Sequence, residues 1–285
     1  MSRKVNLADW ANIFYLAFVL LLVLVWGRGL PDFWTIVAVH VVLLVSLLVL
    51  INFVHSESRP FFQFCRFFYP IAFFTYLYPE SGLLSSMFHE GYYDSVVQSV
   101  EQYLFACQPA IELSTRCAEN PVLTETVHLG YFSYYFYFPI IAFLYWFWKR
   151  SEIRRVMFNV SVLFYLCYST FFFFPVIGPI SERPGTFSGV MPSLVDNVYM
   201  LDTVGGAFPS SHVAVAVLLL IEAFRLSRKA GFIMLPFVVA LTIGTVACRI
   251  HYMTDVIGGL LTLVLVMPIT DKIWRKFEAG KPLLV

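Results

Sequence analysis

Two short stretches in the C-terminal third of this 285-residue chain carry side chains that could do chemistry together. In Arg249-Ile250-His251-Tyr252-Met253-Thr254-Asp255 an imidazole and a carboxylate stand four residues apart, so on a helix they share a face and can touch. A carboxylate bonded to one ring nitrogen fixes the tautomer and raises the nucleophilicity of the other. Asp255 also opens an apolar stretch, where an unpaired carboxylate would be costly, so a partner is expected. In Pro209-Ser210-Ser211-His212 the order is that of a helix start: proline suits the first turn and serine caps. Free backbone N–H groups there, at the positive end of the helix dipole, make an anion site. Together the two stretches offer two histidines, an aspartate, an arginine and an anion-binding helix start, the parts of a phosphoryl-transfer site. One histidine would attack phosphorus, and the other would protonate the leaving oxygen and then deprotonate the acceptor. Taken singly, each stretch has a plainer reading: a capped helix with an interfacial histidine, and an ion pair anchoring a helix end.

The elements that must position these groups are membrane helices. Hydrophobic residues make up 59% of the chain and charged residues only 13%, too much apolar surface for a soluble domain of this size to bury. The same balance excludes a disordered chain and a disulfide scaffold, and a net charge of +1 excludes a nucleic-acid binder. Apolar runs predict spans near 10–27, 33–54, 66–78, 130–148, 155–175, 210–226, 231–250 and 253–270. The third is short and contains Pro70, so a tilted or re-entrant segment is expected there. With the N-terminus inside, eight spans put 15 of the 19 basic residues on the cytoplasmic side and leave Arg28, Arg116, Arg183 and Arg249 outside, as the positive-inside rule asks. Both termini are then cytoplasmic and both histidine stretches face out. The first span follows Arg3 and Lys4 like a signal peptide, but it is long, lacks a small-residue cleavage site and is expected to be retained.

Two outer segments are large. In 80–129, Tyr93, Val96, Val97, Val100 and Leu104 recur at helical spacing with Asp94, Gln98 and Glu101 between them. That pattern predicts an amphipathic helix lying on the outer membrane surface, packed over the ends of the spans, or both. Residues 175–209 are rich in proline and glycine, a backbone that must sit in water or be buried in protein. Asp202 and Gly205-Gly206 lead from it into the helix start at Ser210. Cys65, Cys167 and Cys248 read as packing residues, whereas Cys107 and Cys117 share the outer loop, where a disulfide is open. His40, His55 and His89 read as structural, and within the spans His40 is the one deep ionisable group.

Phe208-Pro209-Ser210-Ser211-His212 and His251-x-x-x-Asp255 followed by Val-Ile-Gly-Gly resemble the second and third signatures of the type-2 phosphatidic acid phosphatase superfamily. The resemblance covers roughly residues 66–270. It implies that His251 is the nucleophile that forms a phosphohistidine, Asp255 its orienting partner and His212 the acid and base. It also implies metal-independent chemistry without a cofactor, and a core of six helices, here the third to eighth spans. Two departures stand out. Arg183-Pro184 keeps the end of the first signature, but Val176 stands where its lysine would be. Thr245 stands at the usual arginine position of the third signature, and Arg249 sits two residues before the histidine, about 200° around a continuous helix. The His-Tyr-x-x-Asp form, the run Phe174-Pro175-Val176-Ile177-Gly178-Pro179 and the segment 123–135 are similar to the inositol phosphorylceramide synthase branch.

The expected fold is therefore an all-α, polytopic membrane bundle of about eight spans. It divides into two N-terminal spans over 1–60, a catalytic membrane domain over 61–276 and a cytoplasmic tail over 277–285. The expected activity moves a phosphate-containing headgroup at a lipid ester on the outer face, with membrane lipids as partners. A lipid or inositol hydroxyl as acceptor makes it a headgroup transferase, and water makes it a phosphatase. Arg249, Ser210, Ser211 and Arg183 are the candidates to hold phosphate, and His128, Tyr131, Ser133 and Tyr134 to line the acceptor side unless they form an interfacial aromatic belt. A transporter is the alternative of another class, disfavoured by the scarcity of ionisable groups within the spans. A zinc site from His212, His251 and Asp255 is a third, at odds with an anion-binding helix start beside an arginine. The sequence leaves the oligomeric state open.

Overall fold

The computed structural model describes residues 5–54, 59–183, 185–199 and 203–278. Arg3, Lys4, His55, Pro184, Asp202, Lys281 and nearly all of the tail lie outside them. The described residues form an all-α structure with no named strand, whose helices in chain order are α1 (Leu7–Trp26), α2 (Phe33–Phe53), α3 (Pro60–Ser85), α4 (Asp94–Phe105), α5 (Pro109–Ala118), α6 (Pro121–Phe132), α7 (Tyr134–Trp148), α8 (Ile153–Phe173), α9 (Val190–Tyr199), α10 (Ser211–Leu226), α11 (Arg228–Ala247) and α12 (Met253–Phe277). Helix starts carry the chemistry that stops fraying. Asn6 and Asp9 form a reciprocal capping box on α1, prolines open α3, α5 and α6, and Ser227 caps α11.

α8 and α10 run through the middle, buried on nearly every side, and α1, α3, α7 and α12 pack around them. The outer faces of α2, α7, α11 and α12 expose large apolar side chains such as Trp34, Val42, Phe143, Phe232 and Val264. Apolar surface on that scale marks contact with lipid, and the protein is an integral membrane protein.

Helices occupy all eight places expected for spans. Of these, α1, α2, α8, α11 and α12 are long and apolar enough to cross a bilayer, and α6 with α7 makes a sixth candidate, bent by 41° at Ser133. The run 130–148 is thus not one straight helix: α6 ends at Phe132, α7 begins at Tyr134, and the bend falls at Ser133 between them. The third is not a short segment either. α3 is one helix of 26 residues that absorbs both Pro70 and Pro79 and reaches Ser85, so Glu80 belongs to it and not to the loop beyond.

The spans also bury more ionisable groups than His40 alone. Asp9 is held by both terminal nitrogens of Arg66 and by the Tyr69 hydroxyl (2.9 Å), and His40 faces Glu80 at 3.5 Å. Glu222 is fully buried. It accepts two hydrogen bonds from Arg155 (2.7 and 2.8 Å), one from Arg225 (2.9 Å) and one from Tyr145 (2.8 Å). Pairing is what makes such burial tolerable. The Glu222 network ties α7, α8 and α10 together, and Arg225 extends it to Asp271 of α12. It lies at the end of the bundle remote from the histidines.

Candidate active site

The start of α10 and the start of α12 lie side by side at the opposite end. α12 reaches α10 because its second turn is Gly258-Gly259: a Cβ on Gly258 would come within 2.6 Å of the Phe208 ring, and one on Gly259 would collide with the Ser210 carbonyl. The Val-Ile-Gly-Gly run after Asp255 is therefore a packing requirement. Ser210 is the N-cap of α10, its hydroxyl accepting from Val213 N–H (3.4 Å) while its own N–H donates to the Asp255 carbonyl (2.9 Å). Pro209 precedes the N-cap, two residues before the first helical position, and follows a cis peptide bond. Ser210, Ser211 and His212 are all buried.

α11 ends at Ala247, and the chain turns through Cys248 and Arg249, whose φ is +56°. Ile250 and His251 both donate their N–H to the Thr245 carbonyl (3.1 and 2.9 Å), which sets the His251 backbone at the mouth of the turn. The helix thus stops before Arg249, and the 200° offset of a continuous helix does not arise.

The side chains form a line. Tyr131 hydroxyl lies 3.4 Å from His212 Nε2, His212 Nδ1 lies 3.2 Å from His251 Nε2, and His251 Nδ1 lies 3.3 Å from Asp255 Oδ2. Asp255 Oδ2 also accepts Tyr252 N–H (2.8 Å), and Oδ1 is buried without a hydrogen-bond partner. One proton assignment satisfies every contact: Tyr131 donates to His212, His212 to His251, and His251 Nδ1–H to the carboxylate. It leaves the Nε2 lone pair of His251 pointing at His212, with both rings at a narrow cleft also lined by Tyr78, Ile177, Tyr199 and Thr203. Tyr134 lays its ring 4.6 Å from that of His212.

The remaining candidates are placed less directly. Arg183 is buried and bonded to Asp196 (2.7 Å), to His128 Nε2 (3.1 Å) and to the Cys248 carbonyl, and its Nη2 has no hydrogen-bond partner. His128 donates through Nδ1 to the Thr124 carbonyl (2.7 Å), so it supports Arg183 and does not meet His212. Ser133 bonds the Gly130 carbonyl and the Tyr137 hydroxyl. The Arg249 guanidinium runs to Ser114 (2.7 Å), Thr186 (3.1 Å) and the Glu182 carbonyl, fastening α5, Glu182 and Thr186, and it contacts neither histidine. Cys107 and Cys117 are both free thiols. Among the described residues no group of three His, Cys, Asp or Glu side chains is arranged to hold a metal ion.

Three site neighbours went unread in the sequence. α4 lies over the start of α12, with Val97 and Glu101 buried and Val96, Val100, Tyr103 and Leu104 exposed. Its acids and amide, and not its main apolar stripe, face the protein. Asp94 takes the N–H groups of Ile177 and Gly178 (2.9 Å each) and the Tyr252 hydroxyl (3.2 Å), Gln98 donates to Tyr252 (3.0 Å), and Glu101 accepts Thr254 N–H (3.0 Å). Burial first, and then the Asp94 carboxylate, push the Tyr252 hydroxyl above its ordinary range and keep it a donor. Burial likewise raises the Glu101 carboxyl. Their i, i+4, i+7 spacing was the available signal.

No curated protein and no solved structure matched the chain. A family model described as the PAP2 superfamily matches residues 96–269, from within α4 to within α12 and across both histidines. On that match, the chain belongs to the PAP2 superfamily and is an integral membrane enzyme of the lipid phosphatase or phosphotransferase kind.

Proposed function

We propose that the protein transfers a phosphate-containing lipid headgroup through a phosphohistidine on His251, in the manner of the inositol phosphorylceramide synthases. The relay from Tyr131 through His212 and His251 to Asp255 is the observation that carries this reading. The phosphoryl group enters between the two rings, where their mutual hydrogen bond now lies. His251 Nε2 forms a bond to phosphorus as the bond to the leaving oxygen breaks, and His212 Nδ1 gives that oxygen its proton. Asp255 stabilises the positive charge that develops on the His251 ring. In the second half, His212 takes the proton of the acceptor hydroxyl, the acceptor oxygen attacks phosphorus, and the P–N bond breaks. No metal ion takes part. The N–H groups of Ser211 and His212 at the start of α10 and the free Nη2 of Arg183 meet the phosphoryl oxygens. Arg249 contributes by holding Glu182 and Thr186, on either side of Arg183.

A lipid substrate is supported by a groove of about 430 Å³ between α3, α7 and α8, walled by Phe68, Phe74, Phe138 and Phe164. Tyr134 forms part of its wall and also touches His212, so an apolar chain in the groove lies next to the reacting groups. The site faces the extracytoplasmic side, as the distribution of basic residues asks. Purified protein in mixed micelles with phosphatidylinositol and ceramide, analysed by mass spectrometry with a parallel phosphate assay and with EDTA present, tests the reading. Inositol phosphorylceramide without phosphate release is the expected result. Phosphate alone would make water the acceptor, and unchanged turnover in His251→Ala would remove the phosphohistidine.

A further inference from the structure

We infer that Asp94 is a positioning residue that sets the separation of the two histidines, and that α4 is the strap through which it acts; this rests on the phosphohistidine reading above. Asp94 touches neither histidine. Its carboxylate instead holds the backbone of Ile177 and Gly178 and the side chain of Tyr252, the residue after His251. Oδ2 accepts Ile177 N–H and Oδ1 accepts Gly178 N–H, both at 2.9 Å. That segment is stitched on its other side to the lead-in of α10, through Val176 N–H to the Gly205 carbonyl (3.1 Å) and Ala207 N–H to the Val176 carbonyl (2.9 Å). From Ala207 the chain runs directly to Ser210 and His212.

The same segment leans on the other histidine. Gly178, at φ +90°, lies so close to the Ile250 carbonyl that a Cβ would come within 2.7 Å of it, and Ile250 immediately precedes His251. Oδ1 of Asp94 meanwhile accepts the hydroxyl of Tyr252, the residue after His251, whose N–H donates to Asp255. One carboxylate therefore fixes both sides of the 3.2 Å gap between the rings. Gln98 and Glu101, one and two turns along α4, hold Tyr252 and Thr254 and keep Asp94 in register. Glu101 adds a carboxylate at the N-terminus of α12, where the helix dipole favours it.

Asp94→Asn keeps the size and replaces one acceptor by an NH2 group that must face a backbone N–H or the Tyr252 hydroxyl. Reacting groups held out of line lose rate steeply, by up to about a hundredfold per ångström. With phosphatidylinositol and ceramide in mixed micelles, kcat per folded molecule should fall at least about tenfold while KM stays within about twofold. Tyr252→Phe, which removes only one of the three bonds, should fall less, and the double variant should be less than additive. A signature independent of turnover comes from 15N spectra of histidine-labelled protein. The His212–His251 bond should give single tautomers in the parent and a mixture in Asp94→Asn. Parent-like kcat and parent-like histidine spectra in Asp94→Asn overturn the inference, as does a loss accounted for wholly by unfolded protein. Should Asp94→Asn not fold, the same two readouts on Tyr252→Phe decide it. His251→Ala separates the two levels. Full turnover there refutes the phosphohistidine, whereas an inactive His251→Ala beside an unaffected Asp94→Asn refutes only the positioning role.

Discussion

Replacing Asp255 by asparagine separates what the carboxylate does as a hydrogen-bond acceptor from what it does as a charge. Its Oδ2 accepts two hydrogen bonds, from His251 Nδ1 (3.3 Å) and Tyr252 N–H (2.8 Å), and an asparagine oxygen in the same place accepts both. The tautomer of His251 is then preserved. The new NH2 group falls where Oδ1 now sits, buried and without a hydrogen-bond partner, so folding loses no bond and sheds the cost of a buried charge. What disappears, on the mechanism proposed above, is the attraction between a carboxylate and the charge that His251 would acquire in bonding phosphorus. At about 4 Å and an effective dielectric constant of about 20 that attraction is about 4 kcal/mol. At 1.36 kcal/mol per decade this predicts a fall in kcat of about a thousandfold, with KM little changed and the thermal midpoint equal to or above that of the parent. Steady-state turnover of lipid phosphoester in micelles, paired with thermal unfolding in the same detergent, measures both. A kcat within about threefold of the parent would show that no positive charge builds on His251, and with it the phosphohistidine step would fall.

Gly259→Ala drives a methyl group into the Ser210 carbonyl, so α12 must back away from α10. We expect a loss of about 1–3 kcal/mol in stability together with a drop in kcat, read by thermal unfolding and turnover, and an unperturbed variant would mean the two helix starts are loosely joined. Burial raises the Glu101 carboxyl, so the folded state holds its proton to higher pH than the unfolded chain does. Stability from this group is fully present below the unfolded pKa and is lost as pH rises through the raised folded value. Glu101→Gln should therefore narrow the difference in thermal midpoint between pH 5 and pH 8, and an unaltered difference would show that Glu101 titrates normally. Arg183→Lys, which gives up the guanidinium fork, should weaken vanadate binding about tenfold, and Arg249→Lys less than about threefold. The reverse order would bring Arg249 to the phosphate and send Arg183 to the scaffold.

Local chemistry made much of this site legible. The contact of His251 with Asp255 and the serine cap before His212 depend on residues within one or two turns, and both form, although His251 stands just before α12 and not on its face. What was not legible depends on pairings across long loops. The polar stripe Asp94, Gln98 and Glu101 was visible as the gaps between valines, but nothing local says that it meets Tyr252 and Thr254 while Val96 and Val100 face outward. Arg249 was expected inside the span 231–250, whereas α11 ends at Ala247 and Arg249, at φ +56°, bonds Ser114; backbone hand is not readable from residue type. The buried ions misled for the same reason. Asp9 and Arg66, or Arg155 and Glu222, look like interfacial charges one at a time and become core residues only as pairs. The third span reads as short because Pro70 and Pro79 look like breaks, and the bend at Ser133 carries no proline or glycine to announce it. In α3 both prolines lie within the helix, and Pro139 lies within α7.

The hydrogen bond between Asp94 and Tyr252 joins residues 158 apart, and that separation is also an interval of time. A ribosome adding about 5–20 residues per second makes Tyr252 about 8–30 s after Asp94. During that interval α4 carries two carboxylates, Asp94 and Glu101, whose partners on the α12 side do not yet exist, and His212 arrives before the histidine it is to serve. Asp94, His251 and Asp255 can therefore meet only after the last helix has been made. Until then a growing chain lodged in lipid holds no complete site with which to act on the membrane around it.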